Sequence, residues 1–382
     1  MKTTYFILAV VIFSNIIFSQ EKNRAQRAED IGIDVGTMPK GLLNSITDVS
    51  GVLVGHKTLI REDNIRTGVT AIIPHEGNIF KEKVPAAIYV FNGFGKLAGF
   101  TQVEELGNIE TPIILTNTLS IGEAVKATVK YLISLDGNTD LRSVNAVAGE
   151  TNDGYLNDIR GMHVTEQDVI DAIKTAKSGV IDEGSVGAGT GTVAFGLKGG
   201  IGTSSRLAAI GSKSYTVGVL VQTNFGRELI INGIPYTKEV KHEKVDRKED
   251  GSCMIVIATD APLSSLNLKR LAKRSVIGMG RTTTVMSNGS GDYAIAFSTA
   301  YKIPHEPVNQ KNEIHFLIDN NAMSTLFQAV EEATQEAIYN SLFAAATTTG
   351  FSGRTVESIS IEKVKKLLKK YNMEKLKSRF EN

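Results

Sequence analysis

A single serine at the start of an apolar run offers the clearest chemistry in this sequence. Ser252 follows the charged stretch 244–251, which contains Gly251, and precedes the short run 253–258, which is rich in Val and Ile. Charge and glycine without a period indicate an exposed loop, whereas a short β-branched run indicates a buried strand. The pattern therefore places the hydroxyl of Ser252 at the boundary between a loop and a core strand.

Two interpretations of Ser252 are open at this point. In the first, Ser252 only ends a loop. In the second, the Gly251–Ser252 bond is cut, and Ser252 becomes a new N-terminus that carries a hydroxyl and a free α-amine. A hydroxyl is a weak nucleophile that needs an adjacent base, and an α-amine with a pKa of about 7.7–8.0 can be that base without a histidine.

The composition is that of one large or two ordinary globular domains. The chain has 382 residues, of which 42% are hydrophobic and 22% charged, with a formal net charge of +1. This balance favours neither a nucleic-acid partner nor disorder.

The single cysteine, Cys253, excludes an intrachain disulfide, and strand alternation turns its side chain into the core, away from that of Ser252. Because His56, His242 and His305 lack metal-ligand spacing, we predict no metal and no cofactor.

The N-terminus has the pattern of a signal peptide over residues 1–19. Lys2 gives a positive start, residues 5–18 are almost wholly apolar, and Ser19 supplies a small residue before Gln20. The apolar stretch is too short and too early for a spanning helix, so secretion is favoured over an uncleaved membrane anchor. We therefore expect a secreted or periplasmic protein that begins at residue 20 and has no stable membrane span.

Strand and helix patterns alternate on both sides of Ser252. The stretch 43–56 predicts a strand, a turn and a second strand, and the glycine-rich stretch 184–192 favours close backbone packing over a phosphate cradle, because its spacing is not GxGxxG. Further strands are predicted at 68–73, 86–91, 144–149, 215–221 and 293–297, and helices at 165–176, 266–277 and 321–346. Mixed elements on both sides of the serine indicate one layered α/β body.

Several ordered segments carry a resemblance that extends from about residue 28 to about residue 353. They are 92–96, 116–118, 150–155, 186–191, 219–226, 251–262 and 288–292. Together they resemble the self-processing aminopeptidases, the family that includes the L-aminopeptidase/D-esterase and the β-peptidyl aminopeptidases. The resemblance implies a four-layer αββα sandwich like that of N-terminal-nucleophile hydrolases, in a single large domain. It also implies cleavage into an α chain, 20–251, and a β chain, 252–382, which stay associated in a homo-oligomer, usually a tetramer of such pairs.

The resemblance assigns the central site residues position by position. It implies that Gly251–Ser252 is the autocleavage bond and that Ser252 is the nucleophile, which forms an acyl-enzyme. Asn224 matches the side-chain donor of the oxyanion hole, and Tyr155 matches a site tyrosine near the carbonyl. The structural alternatives are a turn-capping role for Asn224 and simple core packing for Tyr155.

The resemblance also assigns three acidic residues and a second serine. Ser290 and Asp292 match a serine–acid pair that orients or deprotonates the nucleophile, although some relatives have glutamate at the position of Asp292. A Ser-Gly-Asp turn without a catalytic role is the alternative. Glu150 and Asp153 are candidates to bind the ammonium group of a substrate, because an aminopeptidase must recognise that charge.

The favoured function is an exported, autoprocessed serine aminopeptidase. It would release small L-, D- or β-amino acids from the N-termini of peptides, amides or esters. A self-cleaving acyltransferase, such as an ornithine acetyltransferase, is the second enzyme hypothesis; Ser252 in place of threonine and the signal peptide both count against it. A non-catalytic secreted binding protein is the third hypothesis, weakened by the joint presence of Ser252, Asn224 and Ser290. The sequence leaves open the stereochemical preference and the identity of the base.

Overall fold

The computed structural model describes residues 26–226, 228–240, 251–283, 286–306 and 317–371. The predicted signal peptide, 1–19, and the stretch 241–250 before Gly251 lie outside the described residues. Within the described ranges, no helix has the length and apolar character needed to cross a membrane.

The first sheet, sheet I, is mixed and has five strands in the order β1-β2-β6-β7-β4. β6 and β7 are parallel, and the other neighbours are antiparallel. The bounds are Leu53–Arg61 for β1, Ile65–Ile73 for β2, Leu97–Ala98 for β4, Ile113–Asn117 for β6 and Val147–Thr151 for β7.

The second sheet, sheet II, has the order β10-β11-β14-β15-β3-β16, with β5 also paired to β3. β14 and β15 are parallel, and every other pairing in this sheet is antiparallel. The bounds are Glu82–Gly93 for β3, Asn108–Ile109 for β5, Ile201–Ile210 for β10, Lys213–Asn224 for β11, Ser252–Thr259 for β14, Gly291–Ser298 for β15 and Ile303–Pro304 for β16. The predicted strand after Ser252 therefore lies at the centre of this sheet.

Short hairpins and helices complete the described fold. The hairpin strands are β8 (Val193–Ala194) with β9 (Leu197–Lys198), β12 (Ile230–Ile231) with β13 (Ile234–Pro235), and β17 (Thr348–Thr349) with β18 (Thr355–Val356). The helices are α1 (Phe100–Leu106), α2 (Ile121–Ile133), α3 (Glu166–Lys174), α4 (Tyr236–Glu239), α5 (Ser265–Arg281), α6 (Met323–Phe343) and α7 (Ile361–Lys370). α3 begins after the predicted cap, Thr165, which forms a reciprocal capping box with Asp168.

Apolar clusters show how the layers are stacked. One cluster fills the space between the sheets and includes Leu115 and Val147 from sheet I and Met254 and Val256 from sheet II. A second joins α2 and α3 to the outer face of sheet I, and a third joins α5 and α6 to the outer face of sheet II. The order of layers is helix, sheet, sheet, helix, which confirms the αββα sandwich and the single-domain interpretation.

One predicted strand is wrong. The first part of the stretch 43–56 forms a 3-10 turn, Ile46–Asp48, before β1 begins at Leu53. Ser45 and Asp48 form a capping box in which each side chain accepts a hydrogen bond from the backbone of the other. These local hydrogen bonds compete with sheet pairing, and the S-x-x-D spacing that produces them was visible in the sequence.

A buried ionic network fastens α6 to β10. The guanidinium of Arg206, which is fully buried, bonds to Glu336 at 2.5 Å and to Glu332 at 3.2 Å. Lys40 reaches Glu336 at 2.9 Å. Removing one partner of such a network would leave buried charge uncompensated, which is strongly destabilising. β10 precedes and α6 follows the predicted cleavage point, so these contacts join the two predicted chains.

Candidate active site

The position of Ser252 is fixed by the two strands beside β14. Ser252 is the first residue of β14, opposite Asn224 in β11 and opposite Gly291 in β15. Side chains alternate between the two faces of a strand, and Met254 and Val256 belong to the cluster between the sheets. The side chain of Ser252 therefore faces sheet I, and it is 7% exposed.

The peptide bond before Ser252 is held closely between the neighbouring strands. The backbone N–H of Gly291 donates to the carbonyl oxygen of Gly251 at 3.3 Å. A Cβ on Gly251 would lie 2.4 Å from Cα of Phe225 and 2.6 Å from the carbonyl oxygen of Asn224. Since both neighbours are backbone atoms, a larger residue at 251 would force the strands apart.

The side-chain amide of Asn224 is oriented by a backbone donor. The N–H of Val193 donates to Oδ1 of Asn224 at 3.0 Å, which turns Nδ2 towards the Oγ of Ser252, 3.4 Å away. Asn224 is 1% exposed, so this amide is held in a dry environment. A neutral, preoriented donor beside a hydroxyl nucleophile is the arrangement that stabilises a developing oxyanion.

Ser290 and Asp292 form a hydrogen-bonded pair at the start of β15. The hydroxyl of Ser290 donates to Oδ2 of Asp292 at 2.6 Å. Burial raises the pKa of Asp292 to about 6, against the opposing effect of hydrogen bonds from Ser290 and from the backbone of Cys253. Strand alternation turns Asp292 to the helix-facing side of sheet II with Cys253, and the side chain of Ser252 to the other side. The structure therefore joins the pair but places Asp292 on the opposite face from the Ser252 hydroxyl.

Cys253 has the environment of a core residue, as predicted. Its side chain is fully buried in the cluster between sheet II and the helices. Burial, and then the charge of Asp292, raises the pKa of its thiol well above the usual range. A thiol that stays protonated is a poor nucleophile, so Cys253 is a weak candidate for the nucleophile of this strand.

Glu150 lies at the end of β7 in sheet I. A Cβ on Gly149 would lie 2.3 Å from the methyl carbon of Met254, so the absence of a side chain lets β7 pack closely on β14. Oε1 of Glu150 accepts a hydrogen bond from the backbone N–H of Lys96 at 3.0 Å, and Oε2 accepts one from the hydroxyl of Thr118. These two loops hold a carboxylate beside the Ser252 end of β14.

Asp153 has partners inside the protein. The side-chain amide of Asn157 donates to its carboxylate at 3.0 Å, and Thr67 also bonds to it. Burial raises the pKa of Asp153 and lowers that of Lys198, and attraction between the two charges opposes both changes. Lys198 in turn donates to the carbonyl oxygen of Gly189 at 2.9 Å. Asp153 is thus enclosed within the protein, whereas Glu150 lies between two loops with Nζ of Lys96 3.6 Å from its Oε1.

Tyr155 lies beside the residue that orients Asn224. Its ring packs on a small apolar cluster that includes Val193 and Val356. The guanidinium of Arg354 lies 5.1 Å from the centroid of the ring and donates to the carbonyl oxygen of Tyr155 at 3.2 Å. The structure therefore connects Tyr155 to the site through Val193, in an environment that also satisfies simple packing.

The glycine-rich stretch 184–192 packs against neighbouring backbone. A Cβ on Gly191 would lie 2.0 Å from the carbonyl oxygen of Arg66, and one on Gly189 would lie 2.5 Å from the backbone nitrogen of Ile201. Glycine at these positions allows the close backbone packing that the sequence analysis favoured. In the described part of the chain, no three His, Cys, Asp or Glu side chains form a group that could hold a metal ion.

Tyr293 is a site residue that the sequence analysis missed. It shares the inter-sheet face of β15 with Gly291, which lies opposite Ser252. Burial, followed by the charges of Glu150 and Asp292, raises its pKa to about 12. The i, i+2 spacing from Gly291 was visible in the sequence, but the register that brings β15 to β14 was not.

Several solved structures share this fold over most of the chain. The chain is similar to the PH0078 protein from Pyrococcus horikoshii OT3, with 46% identity, a TM-score of 0.85, and 91% of this chain and 99% of that one covered. It is also similar to the L-aminopeptidase D-Ala-esterase/amidase from Ochrobactrum anthropi, described as a prototype for the serine aminopeptidases and a variant of the Ntn hydrolase fold. That match has 36% identity, a TM-score of 0.85, and the same coverage of 91% and 99%.

The fold and these similarities define a serine hydrolase of the N-terminal-nucleophile type. Among curated proteins, the chain is 37% identical over 396 residues to the β-peptidyl aminopeptidase BapA of Sphingosinicella microcystinivorans, covering 96% of this chain and 98% of that protein. The pattern of peptidase family S58 matches residues 44–356. The chain belongs to peptidase family S58, which confirms the predicted aminopeptidase class.

Burial of Asp292 leads to a prediction about stability. Its pKa of about 6 in the folded protein exceeds the value of about 3.9 expected after unfolding. A raised folded pKa contributes stability at low pH that is lost as the pH rises through about 6. Asp292→Asn should therefore raise the free energy of unfolding at pH 8 by up to about 3 kcal/mol, with a smaller gain at pH 5.

Urea unfolding followed by circular dichroism at the two pH values measures this difference. Asp140→Asn, which changes an exposed carboxylate, is the matched control and should have little effect at either pH. Equal effects of Asp292→Asn at pH 5 and pH 8 would contradict a buried carboxylate that titrates near 6.

Proposed function

We propose that this protein is an exported, autoprocessed serine aminopeptidase that releases small N-terminal residues through an acyl-enzyme on Ser252. The single observation that carries the proposal is the geometry around the Gly251–Ser252 bond. A hydroxyl at the start of a buried strand faces an oriented amide donor, and the preceding carbonyl is hydrogen-bonded to β15. The signal-peptide pattern in residues 1–19 supports export.

The proposed autocleavage begins with attack of Oγ of Ser252 on the carbonyl carbon of Gly251. The N–H of Gly291 polarises that carbonyl. The C–N bond then breaks, its nitrogen takes up the proton that the hydroxyl loses and becomes the α-amine of Ser252, and Gly251 is left as an ester on Oγ. Water hydrolyses the ester, which yields the carboxylate of Gly251 and frees the hydroxyl. The products are the α chain, 20–251, and the β chain, 252–382.

The same groups would then act on a substrate. Oγ of Ser252 attacks the carbonyl carbon of the first residue, and Nδ2 of Asn224 donates to the developing oxyanion. The amide or ester bond breaks, and the leaving group departs with a proton. Water hydrolyses the acyl-enzyme and releases the first residue. Tyr155, which packs beside Val193, would help to keep the Asn224 region in place.

Two groups could take the proton from the Ser252 hydroxyl, and the geometry favours the α-amine. The amine belongs to Ser252 itself, and with a pKa of about 7.7–8.0 it is partly neutral at neutral pH. The carboxylate of Asp292 faces the other side of sheet II, where Ser290 is bonded to it. In this proposal the Ser290–Asp292 pair stabilises the charged form of the amine rather than acting as the base.

Recognition of the substrate's ammonium group is assigned to Glu150. Its carboxylate lies at the Ser252 end of β14 and is fixed by Lys96 and Thr118. The earlier prediction that Asp153 binds the ammonium is less well supported, because Asn157 and Thr67 bond to this fully enclosed carboxylate. The cation beside Glu150, Nζ of Lys96 at 3.6 Å from Oε1, belongs to a half-exposed side chain that a substrate ammonium would displace. Asp153 would then support the site from within.

The names of the relatives suggest the substrates. A β-peptidyl aminopeptidase and an L-aminopeptidase D-Ala-esterase/amidase are both similar to this chain. We therefore propose short peptides, amino-acid amides and esters with small L-, D- or β-amino acids at the N-terminus. Homotetramers of processed chain pairs remain part of this proposal, on the basis of the family resemblance.

Replacement of Ser252 tests autocleavage and catalysis together. Ser252→Ala should leave an uncut, inactive chain, because the variant has no hydroxyl to attack Gly251. An intact mass spectrum with N-terminal sequencing should show two fragments for the parent protein, the smaller one beginning Ser-Cys-Met-Ile, and one chain for the variant. Ser134→Ala, at an exposed serine after α2, is the control and should be cut and active. A Ser252→Ala variant that is cut or active would contradict the role of Ser252 as the nucleophile.

The orientation of the Asn224 amide gives a second prediction. Asn224→Ala should lower kcat by about 10²- to 10³-fold, as expected when one oxyanion donor is lost. Asn224→Asp retains an acceptor for the N–H of Val193 but loses the donor, so its kcat should fall as well. Hydrolysis of alanine p-nitroanilide by cut protein gives both values. Unchanged turnover in Asn224→Asp would remove the amide from the oxyanion hole.

Substitution of Asp292 distinguishes between the two candidate bases, the α-amine and the carboxylate. If the α-amine is the base, cut Asp292→Asn protein should stay active, and the acidic limb of its kcat/KM profile should move to lower pH. The reason is that loss of a nearby negative charge lowers the pKa of the amine. Asp292→Glu keeps the charge and should keep the limb in place. A fall in kcat/KM of about 10³-fold or more for Asp292→Asn alone would make the carboxylate the base.

A further inference from the structure

The β8–β9 hairpin lies directly against the end of β11 that carries Asn224. The N–H of Val193 donates to Oδ1 of Asn224 at 3.0 Å, and the N–H of Phe195 donates to the carbonyl oxygen of Phe225 at 2.9 Å. The rings of Phe195 and Phe225 pack edge to face, with their centroids 5.1 Å apart. The position of this hairpin therefore sets where the N–H of Val193 lies relative to the amide.

The N–H of Val193 decides which end of the Asn224 amide faces the nucleophile. A backbone N–H can only donate, so the amide atom that it meets must be the oxygen. The amide nitrogen is then the atom left to face Oγ of Ser252, at 3.4 Å. If the N–H of Val193 moved away, the amide could rotate by half a turn. Its oxygen would then face a developing oxyanion, which it would repel instead of stabilising.

The turn of this hairpin explains why the N–H of Val193 points outward. The two turn residues, 195–196, have φ values of 57° and 76°, the left-handed pattern of a two-residue hairpin turn. Strand pairs in such a hairpin alternate between hydrogen-bonded and non-hydrogen-bonded. The N–H of Gly199 donates to the carbonyl oxygen of Thr192 at 3.1 Å. The adjacent pair, Val193 and Lys198, is therefore non-hydrogen-bonded, and its N–H groups point away from the hairpin.

The side chain of Lys198 holds the base of the hairpin. It is fully buried, and its ammonium donates to the carbonyl oxygens of Gly189 at 2.9 Å and Gly199 at 2.7 Å. Burial lowers the pKa of Lys198 to about 7, and the charge of Asp153 opposes this change. A buried ammonium is costly unless acceptors surround it, so these contacts fix Lys198 in one place. The ammonium therefore ties the hairpin to the glycine-rich stretch 184–192.

We propose that the β8–β9 hairpin, held at its base by Lys198, positions the Asn224 amide with its nitrogen towards Ser252. This inference rests on the proposed aminopeptidase function and deepens it, because it assigns a positioning role to Lys198 and to the turn at 195–196. Both act on the amide through the N–H of Val193. The amide donates to an oxyanion that exists only in the transition state, so loss of its orientation lowers kcat more than it raises KM.

A double-mutant cycle with Asn224 tests this positioning role. Lys198→Met keeps an unbranched side chain of similar length and removes the ammonium. In cut protein, kcat for alanine p-nitroanilide should fall about 10- to 100-fold with little change in KM, the size expected for a misplaced catalytic group. In an Asn224→Ala background the same substitution should change kcat by less than about 2-fold, because the amide that it positions is already absent. A purely structural defect would lower kcat by the same factor in both backgrounds.

A milder variant and a matched control keep the test decisive even if Lys198→Met protein does not fold. Gly196→Ala strains the positive φ of the turn, and no neighbouring atom lies within 4 Å of the added Cβ. It should lower kcat about 3- to 10-fold, again only when Asn224 is present. Gly233→Ala is the control, because residues 232–233 form the same two-residue turn in the β12–β13 hairpin, with φ values of 46° and 86° and open space around the added Cβ. It should leave kcat unchanged.

Failure of this inference can be told apart from failure of the proposed function. If the parent protein does not hydrolyse alanine p-nitroanilide, the proposed aminopeptidase activity itself fails. If the parent protein is active and Asn224→Ala lowers kcat, unchanged kcat in Gly196→Ala or in folded Lys198→Met protein would overturn only the positioning role. Equal losses with and without Asn224, or an equal loss in Gly233→Ala, would overturn it as well.

Discussion

The pairing of β14 between β11 and β15 is the constraint on which the site depends. This register sets Ser252 opposite Asn224 on one side and opposite Gly291 on the other. The absence of a side chain at Gly251 lets the backbone of residues 224 and 225 approach closely. Each of these strands is hydrogen-bonded along its length. If β14 shifted by one residue, the hydroxyl of Ser252 would point away from sheet I and would no longer face the Asn224 amide.

The two faces of sheet II divide the chemistry of the site. Ser252, Asn224 and Tyr293 face sheet I, where Glu150 lies at the end of β7. Asp292 and Cys253 face the helices. Close packing of the two sheets, which Gly149 permits beside Met254, brings groups from distant parts of the chain together at one end of the sandwich. The carboxylates of Asp292 and Glu150 therefore lie on opposite sides of sheet II.

The fold is also compatible with a chain whose two segments stay associated after one peptide bond is cut. The proposed cleavage point lies between β11 and β14, which are neighbours in sheet II. The ladder between these strands and the buried contacts of Arg206 with Glu332 and Glu336 join the segments on both sides. Loss of the covalent connection would therefore remove little of the packing or hydrogen bonding that stabilises the body. The proposed free α-amine at Ser252 would then form while the Asn224 amide and the carboxylates keep their positions.

The sequence by itself determined the α/β class, the strand that begins at Ser252 and the main helices, because these depend on local periodicity and on capping residues such as Thr165. Ordered motifs were enough to indicate the family. Local patterns wrongly predicted a strand near residues 43–50, where the Ser45–Asp48 capping box stabilises a 3-10 turn instead. Only the tertiary structure placed Tyr293 near Glu150, turned Asp292 to the opposite face from Ser252, and brought the buried Lys198 near enough to Asp153 to affect its pKa. These relations depend on strand register and sheet packing between residues far apart in the chain, and no local spacing encodes them.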